Sequence, residues 1–301
     1  MSSLLVVGSV ALDTVETPHG KLEGGLGGSA VYFSYAASFF TRVRLVGVVG
    51  RDFPKKFVDL IKGRNVDAAG LQIVDGKTFR WSGAYEGAMS QAETKRVELN
   101  VFGDFQPEIP ESFRDSEFVF LANGSPVTQK HVLEQMTNPK FAVADTMNLW
   151  IETTRDALLD LLKVVDGIVL NDGEARMLTG EPNLLRAARR IQALGPRLVV
   201  VKKGEHGAML VSEDMVLALP AYPVETVKDP TGAGDSFAGG MMGYLAERGQ
   251  VSDGSLKKAL AYGTMCASFN VEDFSLNRFQ QIERRDIDER LDEYLSMLRI
   301  K

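Results

Sequence analysis

The residues best suited to chemistry stand together in "DPTGAGDSFAGG", residues 229–240. Pro230 stops whatever precedes it. Gly232 and Gly234 let bare backbone N–H groups converge, because no Cβ stands in the way. The apolar run that follows predicts a helix over 235–247, whose N-terminus adds partial positive charge. Gly232, Ala233 and Gly234 thereby read as an anion hole. Asp235 is the odd element, since a carboxylate repels a bound anion unless it has a task of its own. Taking the proton of a hydroxyl that attacks phosphorus is such a task. Phosphoryl transfer needs donors that spread charge together with a base beside the nucleophile. The alternative is a first-turn acid that only complements the helix dipole, worth ~0.3–1 kcal/mol. Spacing alone leaves both open.

Other candidates lie at element ends. Asp13 follows the apolar run "LLVVGSVAL" (4–12), a predicted buried strand. It falls at the carboxyl end, where open α/β sheets hold ligands, although a polar residue opening a turn reads the same way. Gly27 and Gly28 precede a predicted helix, "GSAVYFSYAASFF" (28–40), and admit a tight turn there. Glu174, in "NDGE" (171–174), begins a helical stretch. It is either a first-turn acid or a lone carboxylate for magnesium, which keeps several waters. "GLGGSA" (25–30), with Asp52 beyond it, satisfies a dinucleotide-binding pattern. That fingerprint needs a tight strand-to-helix turn, and here a polar loop separates strand from glycines. No P-loop string occurs.

These groups must be positioned by the elements around them. Short β-branched runs alternate with amphipathic stretches along most of the 301 residues. Among them are the strands "RVRLVGVVG" (42–50) and "RLVVVKKG", the helix "PKKFVDLIKGRN" (54–65) and a tail helix near 286–299. This rhythm predicts a mostly parallel sheet with helices on both faces. One region breaks it. In 77–105 Phe79, Trp81 and Tyr85 share one face of a predicted strand, and Val97, Leu99 and Val101 one face of its partner. A small antiparallel lid is expected from segments 14–26 and 74–106 of a single domain spanning 1–301.

Composition narrows the function classes. Apolar residues make up 45% and the net charge is −6, so no broad attraction to nucleic acid or anionic lipid exists. A phosphate-bearing ligand therefore needs a local site. His19, His131 and His206 lack metal-ligand spacing. The single cysteine, Cys266, reads as a buried apolar residue in a helix and fits a cytoplasmic location. The N-terminal stretch has neither the basic region nor the apolar length of a signal peptide or membrane span.

Taken whole, the sequence resembles the ribokinase (PfkB) family of small-molecule kinases. "DPTGAGDSF" nearly completes the family's D-T-x-G-A-G-D-x-F signature, and "GGLGGSAVYFSYAASFFTRVRLVGVVGRDF" (24–53) is similar to its N-terminal signature. The resemblance implies an α/β, ribokinase-like, doubly wound sheet with a β lid. It also implies transfer of the ATP γ-phosphoryl to a hydroxymethyl group. On it, Asp235 matches the catalytic base and Gly232, Ala233 and Gly234 the anion hole. Asp13, Gly27 and Gly28 match the acceptor grip. Asn171 and Glu174 match the N-x-x-E that orders Mg2+ through water. Gly204 matches a position against the nucleotide's phosphates, and Asp229 and Thr231 lie near a K+ site of some members. Lys202, Gly204 and Thr231 are the expected nucleotide contacts. Lys202 and Lys203 stand where the family often has Thr-Leu, and read either as added charge near the phosphates or as a solvated pair. The pattern departs at Tyr32, where the family has asparagine, and around "VEDFSL" (271–276), which puts K+ in question. Trp81, Tyr85, Phe102 and Tyr32 either offer aromatic surface for a base or fill the packing of lid against body and lid against lid. The expected acceptor is a nucleoside, adenosine-like, through its ribose 5′-hydroxyl. The alternatives are a sugar such as ribose or fructose, and a non-catalytic nucleotide sensor. A monomer or a homodimer through the lid is expected.

Overall fold

The computed structural model describes residues 2–89 and 92–299. Its strands are β1 (Leu4–Val7), β2 (Ala11–Thr17), β3 (Gly20–Gly27), β4 (Val43–Gly50), β5 (Val66–Val74), β6 (Phe79–Tyr85), β7 (Ala92–Glu98), β8 (Phe118–Leu121), β9 (Phe141–Asp145), β10 (Gly167–Asn171), β11 (Leu198–Lys202), β12 (Ala208–Val211) and β13 (Val216–Leu219). The helices are α1 (Ser29–Ala37), α2 (Lys55–Lys62), α3 (Pro126–Glu134), α4 (Asn148–Thr153), α5 (Arg155–Leu162), α6 (Asp172–Thr179), α7 (Leu184–Gln192), α8 (Ala233–Arg248), α9 (Asp253–Asn270) and α10 (Arg284–Met297).

Nine strands form the central sheet in the order β13-β12-β11-β10-β9-β8-β1-β4-β5. All pairs from β11 to β5 are parallel, and β12 and β13 add an antiparallel edge. Inner strands such as β8 are apolar and buried along their whole length, as a sheet covered on both faces requires. One apolar core joins the sheet to α1, α8, α9 and α10, and the other joins it to α3, α5, α6 and α7. The small residues of α8 do the packing expected of them. Gly239 and Gly243 lie against α1, and Gly240 lies against Cys266 of α9.

The second, smaller sheet has the order β3-β2-β6-β7, consistent with a lid. It draws on both expected segments, of which positions 90 and 91 lie outside the described residues. Its outer pairs are antiparallel, and its central pair, β2 and β6, is parallel. Two other details differ from the sequence reading. The run 4–12 is not one strand: β1 enters the central sheet and β2 the lid. Between them the Ser9 hydroxyl and carbonyl accept the Ser29 and Ala30 amides at 2.9 and 3.1 Å. Ser9 thus serves the orphan donors of α1 in place of a strand neighbour. Leu99 and Val101 do not extend β7. Asn100, at φ 47°, turns the chain there, and its amide donates to the Thr78 carbonyl at 3.0 Å. Asp52 is structural. It accepts the Thr78 N–H and hydroxyl, each at 2.7 Å, and pairs with Arg80, fixing the start of β6.

Candidate active site

The loop before α8 turns at Gly232, which sits at φ 76°, so the first-turn amides of the helix point outward. The Ala233 amide donates to the Pro230 carbonyl at 3.2 Å. The Gly234 and Asp235 amides belong to the unpaired first turn and remain available to an anion. The Tyr32 ring lies flat against Gly232. A Cβ at 232 would stand 2.3–2.5 Å from three ring atoms. Tyr32 is only 2% exposed. It thus supports the loop from below and does not offer a free face to a ligand. Two further contacts brace the loop. Asn270 donates to the Thr231 carbonyl at 2.8 Å, and the Thr231 hydroxyl reaches Tyr85 of the lid at 3.3 Å. Asp229 is fully buried and accepts the Thr231 amide at 2.9 Å and the Ser275 amide at 3.4 Å. Both of its oxygens are therefore committed to holding the loop.

Asp235 is half-buried, and neither a hydrogen bond nor an ion pair holds it among the described residues. Burial, with help from Asp145 and Glu174, pushes its carboxyl up to about 7, against the pull of Lys202. A carboxylate left unpaired at the mouth of an anion hole is placed to take up a proton.

Facing it are the carboxyl ends of three adjacent strands. Asp145 ends β9, Asn171 ends β10 and Lys202 ends β11. Parallel pairing sets them side by side, with Asn171 opposite Lys202 and Asp145 opposite Val169. Asn171 and Glu174 form a capping box on α6. The Asn171 side chain accepts the Glu174 amide at 2.8 Å, and a Glu174 oxygen accepts the Asn171 amide at 2.7 Å. Burial first, and Asp145 second, raise Glu174 to about 7, opposed by Lys202. Lys202 Nζ lies 3.7 Å from Asp145 Oδ1. Gly204, at φ 54°, opens the exposed turn just after β11. Asp145 escaped the sequence reading. Its only signal was its place at the end of the buried run "FAVAD".

A second group of the expected residues lies where the smaller sheet meets the body. Asp13, 4% exposed, is the third residue of β2 and lies opposite Gly25 of β3 and Trp81 of β6. Its carboxylate folds over Gly27. Burial lifts it to about 7, while the Gly28 amide pulls it down and Asp229 and Asp235 push it up. Gly28 adopts φ 100° at the start of α1. Trp81 is half-buried, its ring set over Gly83 of the same strand. The structure brings Asp13, Asp235, Glu174 and Lys202 close enough for their charges to act on one another, with Gly27 and Gly28 against Asp13.

Raised carboxyls have a stability consequence. Asp235 binds its proton more tightly when folded than when unfolded. Folding stability therefore falls as pH rises from about 4 through 7. Asp235→Asn is expected to raise the melting temperature at pH 8 by roughly 2–4 °C and to leave it unchanged near pH 3.5. Calorimetric scans at the two pH values check this, and a variant no more stable than the wild type at pH 8 contradicts it.

Comparison with known proteins points the same way. Residues 1–281 match the pfkB family of carbohydrate kinases. A cytidine kinase of Thermococcus kodakarensis is 32% identical over 255 residues, covering 82% of this chain and 90% of that protein. Among solved structures, a nucleoside kinase of Burkholderia thailandensis in complex with inosine superposes with a TM-score of 0.78 at 18% identity, covering 97% of this chain and 99% of the other. A putative ribokinase II of E. coli in complex with ATP and Mg2+ gives 0.77 at 20% identity, covering 97% and 100%.

Proposed function

This chain belongs to the pfkB family of carbohydrate kinases, and from that premise we propose that it moves the γ-phosphoryl of ATP onto the ribose 5′-hydroxyl of a nucleoside. The observation that carries the proposal is Asp235, half-buried at the start of α8 with no hydrogen-bond or ion-pair partner among the described residues.

In the proposed reaction Asp13 and the Gly27–Gly28 turn hold the acceptor's hydroxyl groups. The nucleotide lies across Lys202, Gly204 and Thr231. Glu174 suits Mg2+, since one of its oxygens is engaged by the Asn171 amide and the other is left for a coordinated water. Asn171 acts by holding Glu174. When bound, the ion would neutralise charge on the phosphates. The acceptor oxygen forms a bond to phosphorus as the bond from phosphorus to the β-phosphate oxygen breaks. ADP leaves with that electron pair, and the acceptor proton passes to Asp235. The lid, tied to the loop through Tyr85 and Thr231, keeps water from competing for the phosphoryl group.

One observation favours a nucleoside over a bare sugar, the name of the Thermococcus relative. The lid's edge strand also leaves Val97 51% exposed, which supports pairing of two lids in a homodimer. Sedimentation of a monomer at micromolar concentration would rule that pairing out. The activity itself is tested with purified enzyme, Mg2+ and ATP against parallel panels of nucleosides and sugars. Nucleosides are expected to show kcat/KM at least tenfold above ribose or fructose. Turnover of sugars alone overturns the nucleoside reading.

A further inference from the structure

The anion hole is built from dipoles alone. The Ala233 amide points at the Pro230 carbonyl, which leaves the amides of Gly232, Gly234 and Asp235, none of them carrying a full charge. A phosphoryl group in transit spreads negative charge over three equatorial oxygens, and a full positive charge beside it stabilises that charge more than dipoles do.

A cation stands beside these amides. The Lys202 ammonium lies so close to Gly234 that a Cβ there would be 2.9 Å from Nζ. Lys202 leaves the sheet at the end of β11, and its side chain is 19% exposed. Its ion-pair partner, Asp145, is 3.7 Å away. At that separation the two form a loose ion pair, so the ammonium, with its three donors, keeps donors for an anion. Asp145 is itself fixed, with Oδ1 accepting the Thr146 amide at 2.9 Å and its backbone carbonyl accepting from Gln129 at 2.9 Å. A lysine bound to a mobile acid would be drawn off with it, whereas a lysine held by a rigid acid at ion-pair distance stays charged and stays aimed.

We propose that Lys202 is a further catalytic residue, whose ammonium binds the equatorial oxygens of the phosphoryl group in flight, and that Asp145 is its positioning residue. The inference rests on the kinase reading above and adds to it the group that completes the hole. Lysine acts here as a compact point charge, and one well-aimed donor at developing charge supplies roughly 10²–10³ in rate. Asp145 touches no reacting atom and works only through Lys202.

The test pairs kinetics with binding. Lys202→Met, which keeps the side chain's bulk, is expected to lower kcat about 100-fold or more with acceptor KM within threefold. Lys202→Arg is expected to recover part of the loss. Asp145→Asn should lower kcat as well, and the double variant Asp145→Asn/Lys202→Met should be no slower than Lys202→Met alone, because the two residues act as one unit. Titration calorimetry with Mg2+ and ADP, with and without aluminium fluoride, supplies a readout free of turnover. Wild type should gain affinity when the fluoride mimics the phosphoryl group in flight. Lys202→Met should still bind ADP, more weakly by whatever its ground-state contact with the nucleotide contributes, which also shows that it is folded, and should lose the additional gain from fluoride. A kcat within threefold of wild type overturns the inference, as does equal weakening of ADP with and without fluoride. If the wild-type enzyme transfers no phosphoryl group to any alcohol, the kinase reading fails instead, and the two failures are distinguished.

Discussion

Asp235→Asn is expected to bind nucleotide and acceptor normally and to turn over roughly 10²–10⁴-fold more slowly, a barrier rise of about 3–5 kcal/mol. The substitution keeps shape and hydrogen-bonding reach and removes only the ability to take a proton. Binding is preserved because no structural contact is lost, for Asp235 has no hydrogen-bond or ion-pair partner among the described residues to leave stranded. The pH profile adds a second readout. The base must be ionised, so kcat/KM should rise through about pH 7 and level off above it. Asp13 and Glu174 are also raised to about 7, so the acidic limb reports a coupled set and should be steeper than a single proton allows. In the variant that limb should lose one proton of steepness. Turnover within tenfold of wild type would take Asp235 out of the base role and revive the reading of a first-turn acid. Wild-type enzyme that binds ATP but never transfers its phosphoryl would restore the non-catalytic sensor.

The site was legible where chemistry is written locally and opaque where it depends on strand order. "DPTGAGDSFAGG" carries the loop, the helix start and the candidate base in one string, and the structure realises the loop and the helix start. "NDGE" likewise folds as a closed unit, because a capping box needs only residues three apart. Asp145 and Lys202 meet only because β9, β10 and β11 lie side by side, and no spacing along the chain encodes that. Tyr32 was visible as a departure, but its packing on Gly232 requires α1 and α8 to be neighbours. The split of 4–12 failed for a different reason. Apolar periodicity cannot tell one long strand from two short ones in different sheets. β13 (Val216–Leu219), a short edge strand with alternating exposure, gave too weak an apolar run to be read.

The acceptor grip yields the second large effect, through Gly27→Ala. A Cβ at 27 would lie 1.8 Å from Asp13 Oδ2 and 2.3 Å from its Cγ, so the methyl group and the carboxylate claim the same space. Gly27 pairs with Ala11 across β2 and β3, and Asp13 itself sits in the lid sheet, so neither backbone can step aside cheaply. The carboxylate must swing off the Gly28 amide, or the strands must part. Either way the acceptor loses its anchor, and kcat/KM for the acceptor is expected to fall about 100-fold or more while ADP affinity stays unchanged. Overpacking of this kind also costs roughly 1–3 kcal/mol of stability. Asp13→Ala should match the catalytic loss without the strain, since it vacates the contested space. The double variant Asp13→Ala/Gly27→Ala then separates the two effects. Its melting temperature should return toward that of Asp13→Ala, while its activity stays as low as that of either single change. Strain and function would thereby be assigned to the same pair of atoms by opposite outcomes. A Gly27→Ala enzyme with near wild-type kcat/KM would show that Asp13 does not hold the acceptor from this position.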